Sequence, residues 1–76
     1  MTKKEFGDFL KQLRESRGQS VRGLSKITGV TKAEIRNIEK GIFIPRPQTL
    51  LKLSKGLNED YEVLFEMMED IKKWKL

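Results

Sequence analysis

The stretch Gln19–Gly41, QSVRGLSKITGVTKAEIRNIEKG, constrains this chain more than any other, because two short apolar helical patterns meet there at one glycine. Leu24 and Ile27 stand three residues apart before Gly29; Val30 follows it, and Ile35 and Ile38 then share one helical face. Gly29 can take the left-handed conformation that ends a first helix, and the side-chain oxygen of Thr31 can cap a second. The expectation is a helix-turn-helix folded by Leu24, Ile27, Ile35 and Ile38. The second helix then turns Lys32, Ala33, Glu34, Arg36, Asn37 and Lys40 outward. Their hydrogen-bonding ends suit base edges and phosphates.

The remaining chain reads as helical throughout, so the expected fold class is all-α with five helices and short connections. A first helix over about Lys3–Ser16 puts Phe6, Phe9, Leu10 and Leu13 on one stripe and stops before Gly18. Ser20 caps the second helix. A fourth opens near Pro47, whose fixed backbone suits a first helical turn, and carries Leu50, Leu51, Leu53 and Leu57. A fifth begins after Asp60 with Tyr61, Leu64, Phe65 and Met68 on one stripe, while Met67, Ile71 and Trp74 form another. At 76 residues we expect one domain over residues 1–76 with a single small core.

Charge points to the partner. The net +5 is unevenly spread: Met1–Leu57 holds 13 Lys and Arg against 5 Asp and Glu, a surplus of +8, whereas Asn58–Leu76 has 3 against 6. A basic body with an acidic end fits a protein whose body meets phosphate. With neither cysteine nor histidine, disulfides, the usual zinc sites and the common nucleophile–base pairs are excluded. We therefore expect no enzyme activity, no cofactor and no metal site, Glu62, Glu66, Glu69 and Asp70 being a solvated helix face. The start MTKKEF carries no apolar leader and no apolar run is long enough for a membrane span, so the expected location is the cytoplasm, on the nucleoid.

From about Phe6 to Leu64 the chain resembles the helix-turn-helix domain of phage repressors, Cro proteins and related small bacterial regulators, the XRE family. The resemblance implies a compact five-helix lambda-repressor-like DNA-binding domain with the helix-turn-helix at helices 2 and 3. It implies an ion pair between Arg14 and Glu39 that fixes the recognition helix, and a close helix crossing at the small Ser25. It implies base contacts from Lys32, Ala33, Arg36 and Asn37, and phosphate contacts from Ser20, Lys40, Arg46, Gln48 and Thr49; Arg17 and Arg22 either join these or face water. Glu34 is read first as the partner of Thr31 in a capping box, and second as a reader of cytosine. Two features depart from the family. Val21 stands where many members carry a phosphate-binding glutamine, behind it Gly23 costs helix 2 about 1 kcal/mol against alanine, and Ile42-Phe43-Ile44 occupies a commonly polar loop.

The implied function is a sequence-specific double-stranded DNA-binding regulator, a dimeric repressor that inserts helix 3 into the major groove of a palindromic operator. Met67, Ile71 and Trp74 supply the homodimer surface in this reading; otherwise Trp74 folds back on its own domain. The alternative is a protein-interaction module binding another regulator or a toxin through Ile42–Ile44 or the Trp74 end.

Overall fold

The computed structural model describes the backbone of residues 1–74 and the side chains of residues 1–71. Five helices follow one another: α1 (Lys3–Ser16), α2 (Val21–Thr28), α3 (Lys32–Glu39), α4 (Pro47–Leu57) and α5 (Tyr61–Trp74), with no strand among the described residues. Each start has a local chemical cause. Thr2 opens α1 with a full capping box, its hydroxyl accepting from Glu5 N at 3.1 Å while Glu5 Oε1 accepts from Thr2 N at 2.8 Å. Ser20 caps α2 by accepting from Gly23 N at 2.9 Å, and Thr31 caps α3 by accepting from Glu34 N at 3.1 Å. Pro47 begins α4, which has no side-chain cap. Gly29, at φ 79°, ends α2 in the left-handed region and makes the turn into α3.

The core gathers one stripe from every helix. Phe6 and Leu10 of α1, Leu24 of α2, Ile35 and Ile38 of α3, Leu50, Leu53 and Leu57 of α4, and Leu64, Met68 and Ile71 of α5 are all buried, with Val30 from the turn. Helix α3 packs on α1 and α2, α4 on α2 and α5, and α5 also meets α1. Burial of these side chains contributes about 1.5–3 kcal/mol each against exposure, which is what holds such short helices.

Three expected positions are corrected. Ile27 is 62% exposed. The inward stripe of α2 is Val21, Leu24, Ser25 and Thr28, and Ile27 sits roughly 100° around the helix from its centre. Leu51 is exposed, and the small Ser54 takes a buried place on α4. Ile71, grouped in sequence with an outward stripe, is 2% exposed and closes the core beside Leu64 and Met68, at spacings of four and three on one face. Met67 is half-buried against the same core, and the side chain of Trp74 lies outside the described residues.

Candidate nucleic-acid interface

Helix α3 is fixed from behind by two devices. Arg14 Nε donates to Glu39 Oε2 at 2.7 Å and Arg14 Nη2 to Glu39 Oε1 at 3.0 Å, a bidentate pair with both side chains about one-tenth exposed. The third arm, Arg14 Nη1, donates to the Gln19 carbonyl at 2.8 Å, so one guanidinium ties α1 to the end of α3 and to the approach to α2. The bond to Glu39 raises the Arg14 pKa above its ordinary value, against the opposing effect of burial. The second device is Gly7, which the sequence reading did not single out. A Cβ there would lie 2.6 Å from the Glu39 carbonyl oxygen and closer still to that of Ile38. Without a side chain, α1 lets the backbone of α3 approach directly. The available signal was a glycine inside an otherwise regular helical pattern.

On the opposite side of α3, Lys32, Ala33, Arg36 and Lys40 are exposed and Asn37 is half-buried. The elements beside it have defined places. The first residue of α2, Val21, shares a surface depression with Arg36 and Lys40. The start of α4, with Arg46, Gln48 and Thr49, shares another with Glu34. This outward surface of α3 is thus flanked by the starts of two other helices, whose backbone amides carry partial positive charge. Of the flanking candidates, Ser20, Arg46 and Gln48 are exposed and Thr49 is half-buried.

Glu34 and Arg17 have roles different from those expected, while Arg22 and the apolar loop fall within the alternatives left open by the sequence. Glu34 does not complete a backbone capping box; its carboxylate meets the Thr31 hydroxyl at 3.4 Å and borders the α4 depression. Arg17 serves the fold, since its Nε donates to the Leu57 carbonyl at 2.9 Å and Nη2 lies 3.8 Å from Glu59. Arg22 is exposed. The apolar loop divides: Ile44 packs against the core, while Ile42 and Phe43 are 56% and 38% exposed. Among the described residues no helix is long and apolar enough to cross a membrane, and no group of three or more acidic side chains stands together as a metal site.

Comparison with known proteins agrees with this geometry. The family model HTH_3, Helix-turn-helix, matches residues 10–64. The HTH-type transcriptional regulator SutR of Escherichia coli K12 is 47% identical over 49 residues, covering 64% of this chain and 28% of its own. The HTH-type transcriptional repressor RghR of Bacillus subtilis 168 is 42% identical over 60 residues, covering 78% of this chain and 44% of its own. Among solved structures, an HTH_3 family transcriptional regulator from Vibrio cholerae superposes with a TM-score of 0.76 at 38% identity, over 87% of this chain and 37% of that one. The chain therefore spans less than half the length of each of these relatives. With its family model matched across all of α2, α3 and α4, this chain belongs to the HTH_3, XRE-type helix-turn-helix family of transcriptional regulators.

Proposed function

We propose that this chain is a sequence-specific double-stranded DNA-binding domain of a transcriptional regulator, acting as a dimeric repressor that places α3 in the major groove of a palindromic operator. One observation carries the reading: α3 and its C-cap present Lys32, Ala33, Arg36 and Lys40 outward between the starts of α2 and α4. Arg36 and Lys32 suit guanine O6 and N7, Asn37 suits adenine N6 and N7, and the Ala33 methyl suits a thymine methyl. Ser20, Lys40, Arg46, Gln48 and Thr49 supply backbone contacts that position rather than specify. Repression needs only occupancy of the operator. The name of RghR as a repressor supports that direction.

A second subunit would double a reading surface of only eight helical residues and match half-sites about 34 Å apart. With Ile71 committed to the core, the homodimer surface we propose is Val63, which is 46% exposed, with Met67 one turn further along α5. A second reading, a module that docks another protein, draws support from the exposed Ile42 and Phe43.

Selection from a random duplex library tests the main reading. The expected result is an enriched palindrome bound with an affinity that falls by a log–log slope near −0.9 per neutralised phosphate as salt rises. On that site Arg36→Ala or Asn37→Ala should cost about 1–3 kcal/mol and relax preference at one position. No enrichment, with an apolar protein contact indifferent to salt, would favour the second reading instead.

A further inference from the structure

We propose that Lys11, on α1, grips the DNA phosphate backbone beside the start of α2; the inference rests on the DNA-binding reading above. Lys11 lies on the same depression as Val21, Arg36 and Lys40. That depression joins a helix outside the helix-turn-helix to the start of α2 and to the recognition helix.

Charge accounting singles this lysine out. The two carboxylates of the depression are already engaged: Asp8 accepts from Lys4 Nζ at 2.6 Å, and Glu39 holds Arg14 by two hydrogen bonds. Every arm of the Arg14 guanidinium has a protein acceptor, so this residue anchors the fold and is not available to a ligand. Lys11, Arg36 and Lys40 are exposed and make no ion pair within the described residues. With five cations and two anions the depression carries a net +3.

The start of α2 explains what this surplus is for. A helix N-terminus attracts phosphate through its free amides, and a polar side chain beside it normally completes the grip. Here Val21 offers only methyl groups, and the Ser20 hydroxyl, which accepts from Gly23 N, has a single proton left to donate. A further cation can come from α1, where Lys4 and Arg14 already hold carboxylates. Lys11 supplies it on a flexible four-carbon stem with three donors, which suits a point contact to phosphate rather than base readout.

The test compares the wild-type chain, Lys11→Ala, Lys11→Arg and Lys52→Ala on the selected duplex and on a random duplex at several salt concentrations. Lys52 is an exposed lysine that lines a separate depression with Ile27 and Gly56, so its variant controls for lost net charge. Lys11→Ala should weaken both duplexes by the same several-fold factor and reduce the salt slope by about 0.9. Lys11→Arg should restore the slope, Lys52→Ala should leave it intact, and all three should keep the wild-type melting profile. Normal wild-type binding with an unchanged slope in Lys11→Ala, or an equal loss in Lys52→Ala, overturns this inference alone. A wild-type chain without salt-dependent DNA binding overturns the functional reading and this inference together.

Discussion

Gly7→Ala sets a better helix former against a tertiary contact, and the structure says which wins. In isolation the substitution should stabilise α1 by about 1 kcal/mol, because glycine gives up more backbone freedom in a helix. In the folded chain the new Cβ would stand 2.6 Å from the Glu39 carbonyl oxygen and 2.9 Å from its carbonyl carbon, where ordinary contact starts at 3.4 Å. The α1–α3 crossing must therefore open by roughly 0.8 Å or more, and what obstructs it is backbone that cannot rotate away. Overpacking of this kind costs about 1–3 kcal/mol. Because Glu39 is also held by Arg14, the upper end applies, leaving a net loss of about 2 kcal/mol after the propensity gain. For a domain of this size that lowers Tm by about 8–16 °C. The companion variant Gly23→Ala has only the exposed Ser20 hydroxyl at 3.2 Å from its new Cβ, and a shift of a few tenths of an ångström relieves it. Its Tm should rise by a few degrees. Thermal melting of both variants by helical circular dichroism decides the matter. A Gly7→Ala midpoint equal to or above that of the wild type would refute the argument from close approach.

Further substitutions probe the same framework. Glu39→Ala leaves the Arg14 guanidinium buried without its carboxylate and should cost about 3 kcal/mol, seen as a much lower Tm; an unchanged midpoint would mean the pair contributes nothing. Thr31→Ala removes the hydroxyl that accepts from Glu34 N and should cost about 1 kcal/mol in urea denaturation. Ile27→Ser should stay within about 0.5 kcal/mol, whereas Leu24→Ala should lose about 2–5 kcal/mol. Equal losses at the two positions would contradict the exposure of Ile27.

Helix spans and caps were legible because their causes are local. Ser20, Gly29, Thr31 and Pro47 act on backbone within a few residues of themselves, and each stands where its helix begins or ends. The outward face of α3 was legible for a related reason: Ile35 and Ile38 fix which way a two-turn helix must face, and Arg36 and Lys40 then have only solvent to enter. Less legible were positions near the edge of a stripe. Ile27 and Ile71 are equally apolar, yet one is 62% and the other 2% exposed. A helical repeat defines an apolar sector more than 100° wide, and which part of it is covered depends on where a neighbouring helix crosses.

The sequence by itself therefore determined five helices, a glycine-turned pair among them and a basic body, since periodicity, capping and charge are properties of the chain as written. Only the tertiary structure decided which apolar residues close the core, why α1 carries Gly7 opposite the end of α3, and that Lys11 stands across one depression from Val21, Arg36 and Lys40. Those facts set the distances between residues far apart in the chain. A pattern repeating every three or four residues holds no record of such distances.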